Sequence, residues 1–253
     1  MSAQSPGFVD AFSDAAELYA RTRPAYPDAL FAELAALAPA RRCAWDCGTG
    51  NGQAAVGLAR HFEHVEASDP SAEQIAHALP DARVRYSVAT AERSGLAAGS
   101  VDVVSVAQAL HWFDLDRFHT EVRRVARAGA IVAAYGYSWF YVTPDIDVLA
   151  DRWLLRPVES YWPPNNRLLW DGYSTVAFPY AELRPPRLAL HLGWTLDQLL
   201  DYYLTWSAPR RRIAREGDGY LVEARRALAT AWGDAQRVRH IVMPLSVRIG
   251  RLA

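Results

Sequence analysis

The stretch that decides the fold is Ala44-Trp45-Asp46-Cys47-Gly48-Thr49-Gly50-Asn51-Gly52-Gln53, in which an apolar run meets an acid and three glycines follow at every second position. Glycine adopts a positive φ without steric cost and lets a ligand approach the backbone. We therefore predict a buried strand, a tight turn and a helix whose first N–H groups face a nucleotide-like ligand. The alternative is a glycine-rich turn that binds nothing.

The spacing of the glycines narrows the class of ligand. The dinucleotide motif G-x-G-x-x-G has two residues between its second and third glycines, whereas this chain has one. The Lys and Ser/Thr of a phosphate-binding P-loop are also missing. Asp46 would repel a pyrophosphate and suits a cationic, hydroxyl-rich ligand. S-adenosylmethionine, with an ammonium, a sulfonium, a ribose and no phosphate, fits this description.

Composition excludes several classes of protein. The 253 residues, 51% of them hydrophobic, are enough for one large α/β domain. A net charge of −1 gives no support for general attraction to nucleic acid or to an acidic membrane. Cys43 and Cys47 share one face of the first strand and suit neither a disulfide nor a zinc site. We expect both to be buried apolar residues of a cytoplasmic protein without a metal, a leader or a membrane span.

Strands and helices alternate along the chain after residue 40. Apolar patterning predicts strands over residues 42–47, 65–69, 84–89, 100–107 and 130–137, with helices over 53–61, 71–78 and 115–127. Two further strands are expected over 187–194 and 238–252. This order predicts an α/β fold with a doubly wound, Rossmann-like, seven-stranded, mostly parallel sheet, an antiparallel edge strand and a helical, aromatic cap. Such sheets bind ligands beyond the carboxyl ends of their strands.

The domain organisation is predicted from the same order of strands and helices. We predict a single domain over 1–253, with lid helices in 1–40 and a cofactor-binding core in 41–137. Residues 138–185 are rich in Trp, Tyr and Pro, and we expect them to form a substrate cap with an apolar pocket. Residues 186–253 would complete the sheet and add helices.

Polar side chains stand at the ends of the second and third strands. Asp69 ends the second strand, where a carboxylate can accept hydrogen bonds from both ribose hydroxyls. The alternative is a helix N-cap carboxylate placed before Pro70. Ala91 and Glu92 follow the third strand and could contact the edge of an adenine, or could belong to an ordinary exposed loop.

The fourth strand leads into Ala107-Gln108-Ala109-Leu110-His111-Trp112-Phe113-Asp114, where the reactive end of a cofactor would lie. His111 could act as a general base, because the pKa of histidine ordinarily lies near neutrality. It could equally orient a substrate or be a structural imidazole. Trp112 and Phe113 could line a pocket or belong to the core.

These motifs resemble the class I S-adenosylmethionine-dependent methyltransferases. The resemblance rests on Asp46–Gly52, Asp69–Ser71, Ala91-Glu92 and Ser100–Asp102. More narrowly, the chain is similar to the trans-aconitate methyltransferase-like group through Tyr19–Pro27, Ala107–Phe113 and Thr205–Ala208. It departs from that group at Arg127–Ala130, which lacks the usual Lys-Pro-Gly-Gly turn.

The resemblance implies S-adenosylmethionine as cofactor and S-adenosylhomocysteine as product. The implied cofactor-binding residues are Tyr19, Arg23, Asp46, Gly48, Thr49, Gly50, Gly52, Gln53, Asp69, Pro70, Ala91, Glu92, Ala107 and Gln108. Gln108 and His111 are the candidate catalytic residues beside the transferable methyl. Tyr19 and Arg23 would reach the site from the N-terminal lid.

The expected function is methyl transfer to a small molecule, with O-methylation of a carboxylate or a hydroxyl as the reaction. A sulfonium methyl is already activated, so the protein supplies mainly proximity and alignment. A carboxylate needs no base, whereas a hydroxyl does. The alternatives are a methyltransferase acting on protein or nucleic acid, and a non-catalytic cofactor-binding homologue. We expect a monomer or homodimer.

Overall fold

Eight strands form one sheet in the computed structural model, which describes residues 24–253. The first five are β1 (Cys43–Cys47), β2 (His64–Asp69), β3 (Val84–Val88), β4 (Val101–Ala107) and β5 (Ala126–Tyr137). They are mutually parallel and lie in the order β3-β2-β1-β4-β5. The order reverses between β1 and β4, so the carboxyl ends of these two strands border the crevice in which such sheets bind ligands.

Three further strands complete the sheet: β6 (Ala181–Leu183), β7 (Ala189–Trp194) and β8 (Arg239–Arg251). β8 is antiparallel to β5 on one side and to β6 on the other, while β7 pairs with β8 off this seven-strand path. The predicted fold class, a mostly parallel Rossmann-like sheet with an antiparallel edge, is confirmed. The extra strand is β6, whose three residues are too few to show an alternating pattern.

The helices are α1 (Asp28–Leu37), α2 (Gln53–Ala59), α3 (Ala72–Ala76), α4 (Leu115–Val125), α5 (Pro144–Ala150), α6 (Asn166–Trp170), α7 (Leu196–Leu204), α8 (Ser207–Glu216) and α9 (Gly219–Trp232). The sequence also predicts a helix over 145–155 that ends before Pro157. In the structure the α-helix ends at Ala150. The chain continues as a π-helical turn to Leu155 and as a 3-10 segment to Tyr161. Pro157 lies in the 3-10 segment and has no N–H to donate, so the π-helical hydrogen bonding does not continue past Arg156.

The two faces of the sheet pack against different clusters of apolar side chains. Cys43, Trp45 and Cys47 lie in one buried cluster, and Ala44 lies in the other. This alternation is the period of two that a strand imposes on its side chains. Both cysteines are free and buried, as their positions in the sequence predict.

The described residues divide into two compact units. One contains residues 25–139, 164–190 and 243–253, and includes the carboxyl ends of β1 to β4; we call it the cofactor unit. The other contains residues 140–163 and 191–242, where the Trp206 ring packs against Phe140 and Trp162. The single domain and the cap over residues 138–185 stay predictions.

A buried carboxylate joins the starts of three strands. Asp102 is fully buried and accepts hydrogen bonds from the backbone N–H groups of Arg42 (2.9 Å) and Cys43 (3.0 Å). The Arg127 guanidinium lies 2.5 Å from its other oxygen. Arg127 belongs to an irregular stretch of β5, because Val101 pairs with Ala126 while Val103 pairs with Ile131. The sequence at 127–130 that departs from the family pattern is therefore a bulged strand rather than a loop.

Replacement of Asp102 should test this junction. We expect Asp102→Asn to lower the free energy of unfolding by about 2–4 kcal/mol, because Arg127 and one N–H donor lose their charged acceptor. Urea unfolding followed by circular dichroism measures the change. Asp116→Asn, on the exposed side of α4, is the matched control and should change stability by less than about 0.5 kcal/mol. Equal midpoints for the two variants would contradict the role of Asp102.

Candidate active site

The glycine turn lies between β1 and α2 and has the backbone that its sequence predicts. Gly48, Gly50 and Gly52 have φ values of +71°, +55° and +86°. A Cβ on Gly52 would lie 2.1 Å from the Tyr86 hydroxyl, so protein atoms fill the space beside that glycine. A Cβ on Gly50 would meet nothing closer than 3.7 Å. Gly50 is therefore the glycine of the turn whose open face a ligand can approach.

The carboxylate before the turn is fully buried. Asp46 accepts hydrogen bonds from the hydroxyls of Thr49 (2.6 Å) and Ser105 (3.2 Å), and Ser105 is in turn 2.7 Å from the Tyr135 hydroxyl. Burial raises the pKa of the Asp46 carboxyl to about 6, although both hydroxyls oppose the shift. Asp46 thus links the turn to β4 and β5. Its contact with the cofactor amino group stays a prediction.

Asp69 connects the end of β2 to the same turn. One carboxylate oxygen accepts from the Gly50 N–H and the other from the Ser71 N–H, both at 2.9 Å. The N-cap of α3 is Ser71, whose hydroxyl accepts from Gln74, so Asp69 does not occupy the cap position. Each carboxylate oxygen has a second acceptor site left for a ligand hydroxyl. The geometry suits the predicted ribose contact, and exposed Pro70 adjoins it.

The segment after β3 is tied to the segment after β4. Ala91 is buried, and the Glu92 carboxylate accepts from the Asp114 N–H at 3.0 Å. Asp114 caps α4 by accepting from the Arg117 N–H. Glu92 therefore connects the segments that follow β3 and β4. Its contact with an adenine stays a prediction.

The end of β4 carries a strained residue. Gln108 follows Ala107, has a φ of +53° and donates its N–H to the Tyr135 carbonyl at 2.8 Å. A Cβ on Gly136 would lie 3.0 Å from the Gln108 Cγ, so the missing side chain at Gly136 makes room for Gln108. Backbone strain of this kind persists where surrounding contacts hold it, and it clusters at functional sites.

His111 is 7% exposed and has two hydrogen-bonding partners in the cofactor unit. Its Nδ1 lies 3.1 Å from the Tyr173 hydroxyl, and its carbonyl accepts from the Asn165 amide at 2.7 Å. Burial lowers the pKa of His111 to about 4, so the ring is neutral at pH 7. Trp112 beside it is 59% exposed.

The structure brings the predicted residues of the described region into one unit. Thr49 lies under the turn and Gln53 begins α2 beside it. Tyr19 and Arg23 lie outside the described residues. Sequence reasoning missed the connections that Asn165 and Tyr173 make with His111, because 54 and 62 residues separate the partners.

The donor set fits S-adenosylmethionine. The open backbone at Gly50 adjoins a carboxylate with free acceptor sites at Asp69, as a ribose requires, and residues 46–53 contain no cation that would hold a phosphate. When bound, this cofactor supplies a methyl group activated by a sulfonium.

Comparison with known proteins decides the family. A model of the methyltransferase domain matches residues 45–134. A solved structure from Anaeromyxobacter dehalogenans, provisionally named a type II methyltransferase, is 47% identical with a TM-score of 0.86, and covers 90% of this chain and 97% of that one. The chain belongs to the class I S-adenosylmethionine-dependent methyltransferases.

Two curated proteins agree with this membership. A provisionally named methyltransferase of Dictyostelium discoideum is 29% identical over 229 residues, 89% of this chain and 87% of its own length. A Saccharomyces cerevisiae protein, named a probable S-adenosylmethionine-dependent methyltransferase, is 30% identical over 136 residues, 50% of this chain and 45% of its own length. This methyltransferase is an enzyme, and its cofactor is S-adenosylmethionine.

Two further properties concern residues 24–253 alone. No helix in that range is both long and apolar enough to cross a lipid bilayer. Nor does the range contain a group of three or more His, Cys, Asp or Glu side chains arranged to hold a metal ion.

The role of Asp69 can be measured by cofactor binding. Asp69→Ala should weaken affinity for S-adenosylmethionine and S-adenosylhomocysteine by about 10- to 100-fold, because hydrogen bonds to a charged acceptor contribute about 1.5–3 kcal/mol. Isothermal titration calorimetry gives both affinities. Asp116→Ala is the control and should bind as the parent does. Parent-like binding by Asp69→Ala would exclude the ribose contact.

Proposed function

We propose that this methyltransferase methylates an oxygen atom of a small organic acid and forms a methyl ester. The observation that carries the proposal is the neutral, hydrogen-bonded His111 at the end of β4. The resemblance to the trans-aconitate methyltransferase-like group supports the same class of acceptor.

The chemistry of the acceptor determines whether a base is needed. A general base works best when its pKa lies near the working pH, and a pKa of about 4 makes His111 a weak base. Between Ala107 and Asp114 the other ionisable side chain is Asp114, which caps α4. A carboxylate is already ionised at neutral pH and attacks the methyl carbon without losing a proton. A hydroxyl acceptor is the second candidate.

The size and surroundings of the acceptor are also part of the proposal. Within the cofactor unit the rings of Trp139 and Trp170 lie 5.1 Å apart and supply apolar surface of the kind that lines small-molecule sites. The near-zero net charge supports a small acceptor rather than nucleic acid. Arg23 and Arg167 are candidate cations for the carboxylate, and Tyr19 is a candidate lid residue.

A labelling experiment tests the proposal. The protein is incubated with methyl-tritiated S-adenosylmethionine and a panel of small carboxylic acids, phenols and alcohols, and each reaction is then treated with alkali. Methyl esters release volatile methanol in alkali, whereas methyl ethers and methylamines do not. We expect volatile label with acids and none with alcohols.

The same experiment separates the alternatives. Alkali-stable label on phenols or alcohols would favour the hydroxyl acceptor. Label precipitated with added protein or nucleic acid would favour a macromolecular substrate. Cofactor binding without transfer to any acceptor class would favour a non-catalytic homologue. Each of these results would overturn the ester proposal.

The pH dependence of the reaction provides a second test. Because His111 is neutral well above its pKa of about 4, transfer at saturating cofactor should be constant between about pH 6 and about pH 8.5. Single-turnover rates measure this step. A rate that falls below about pH 6.5 in the parent but not in His111→Gln would show that His111 is the base. The same comparison separates His111 from Asp46, whose pKa is about 6. A fall in rate that came from protonation of Asp46 would persist in His111→Gln.

A further inference from the structure

The positions of the hydrogen atoms around His111 follow from its partner. Tyr173 is fully buried, and among residues 24–253 its hydroxyl has a single hydrogen-bonding partner, His111 Nδ1. If Nδ1 carried the ring hydrogen, the Tyr173 hydroxyl would accept and its own hydrogen would be buried without a partner. Buried donors without partners are costly, so the arrangement that satisfies both groups has Tyr173 donating to an unprotonated Nδ1. The hydrogen of the neutral ring then lies on Nε2.

A second histidine–tyrosine pair in the same unit, His119 and Tyr180, also has the tyrosine hydroxyl beside Nδ1. In this pair a second contact, at Nε2, determines the tautomer of the ring. His119 Nδ1 lies 2.6 Å from the Tyr180 hydroxyl, and its Nε2 lies 3.1 Å from the Ala177 carbonyl. A carbonyl can only accept, so Nε2 of the neutral His119 carries the hydrogen and Tyr180 donates to Nδ1. The two pairs share the Tyr-to-Nδ1 contact and differ in what Nε2 meets.

No residue from 24 to 253 is a hydrogen-bonding partner of Nε2 in His111. Nε2 is also not one of the side-chain atoms there that are both sealed from solvent and unpartnered. The N–H of this edge is therefore not used by the described part of the protein and is not fully sealed from solvent. In His119 the equivalent N–H is used by the protein itself.

Two further hydrogen bonds hold Tyr173 in a strained backbone conformation. It has a φ of +58°, and Gln108 and Tyr173 are the non-glycine residues with positive φ in the described region. The Tyr173 N–H donates to the Leu168 carbonyl at 2.7 Å after Gly172, in the pattern of a Schellman motif that ends α6. The Arg248 guanidinium donates to the Tyr173 carbonyl at 2.7 Å. These contacts fix the hydroxyl relative to His111, which explains why the strain persists.

We propose that Tyr173 acts as a positioning residue that fixes His111 as the Nε2–H tautomer, and that this N–H is a neutral hydrogen-bond donor to a carboxylate or carbonyl oxygen of the methyl acceptor. The recognition of an acceptor rests on the proposed esterification, whereas the tautomer does not. The donor orients one carboxylate oxygen while the other attacks the methyl group. The carboxylate–methyl bond forms as the sulfonium–methyl bond breaks, its electron pair stays on sulfur, and His111 keeps its proton.

The tautomer can be measured without an acceptor or turnover. Two-bond ¹⁵N–¹H correlation spectra of ¹⁵N-histidine-labelled protein distinguish Nε2–H from Nδ1–H rings, and loss of signals in His111→Gln assigns the residue. We expect His111 to be the Nε2–H tautomer at pH 7 in the parent and in Tyr180→Phe. Tyr173→Phe should lose this preference, because Nδ1 no longer accepts a hydrogen bond.

Kinetics with the best acid from the labelling panel test recognition. Tyr173→Phe should raise the acceptor KM by about three- to tenfold while leaving cofactor affinity unchanged. Tyr180→Phe removes an equivalent hydroxyl from the other pair and should keep the parent KM. His111→Gln, which can present an amide N–H near the position of Nε2, should retain more acceptor affinity than His111→Ala.

Different measurements test the role of Tyr173 and the proposed esterification, so one can fail while the other holds. An Nδ1–H tautomer in the parent, or an Nε2–H tautomer that persists in Tyr173→Phe, would exclude the role of Tyr173 even if methyl esters form. Equal acceptor KM values in the parent and Tyr173→Phe would exclude recognition through His111. Absence of methyl esters with an Nε2–H His111 would overturn the acceptor class and leave the tautomer standing.

Discussion

The hydrogen bond from the Gly50 N–H to the Asp69 carboxylate connects the two parts of the candidate cofactor site. The turn can make it only because Gly48, Gly50 and Gly52 all have positive φ, which places the Gly50 N–H toward β2 instead of along the helix. The carbonyl of Ser68 accepts from the two preceding N–H groups of the turn, those of Gly48 and Thr49, and fixes the turn to the same strand. One carboxylate thus shapes the turn and retains acceptor sites for a ligand.

Two fully buried carboxylates, Asp102 and Asp46, lie on neighbouring strands of the sheet and have different partners. Asp102 forms an ion pair with Arg127 and accepts hydrogen bonds from two backbone N–H groups. Within residues 24–253, Asp46 has hydroxyl donors and no ion pair, and burial raises its pKa. Burial of a charge is costly unless it is paired, so Asp102 suits a structural junction. Asp46, whose pKa burial raises to about 6, lies beneath the turn that we propose as the site of a cationic cofactor.

Much of the fold could be predicted from sequence, because period-two apolar patterns and alternating glycines act over a few residues. The parallel strands, the turn at Gly48–Gly52 and the acid at Asp69 all follow from such local signals. The bulge at Arg127, the three-residue β6 and the π-helical turn after Ala150 depend on tertiary packing and have no local signature. The Tyr173–His111 contact could not be predicted for another reason. The two residues are 62 positions apart in the sequence, and no motif of fixed spacing links them. Asp171-Gly172 does signal the end of α6, which brings Tyr173 to that position.

The left-handed backbone at Gln108 and Tyr173 has a consequence for protein engineering. Glycine in place of Gln108 would relieve about 1 kcal/mol of backbone strain, and a procedure that optimises thermostability alone would favour it. Glycine in place of Tyr173 would remove a fully buried ring, and the loss of packing would outweigh the strain relieved. A search for thermostable variants should therefore leave both positions unchanged, Gln108 because it is a candidate catalytic residue and Tyr173 because its ring belongs to the core.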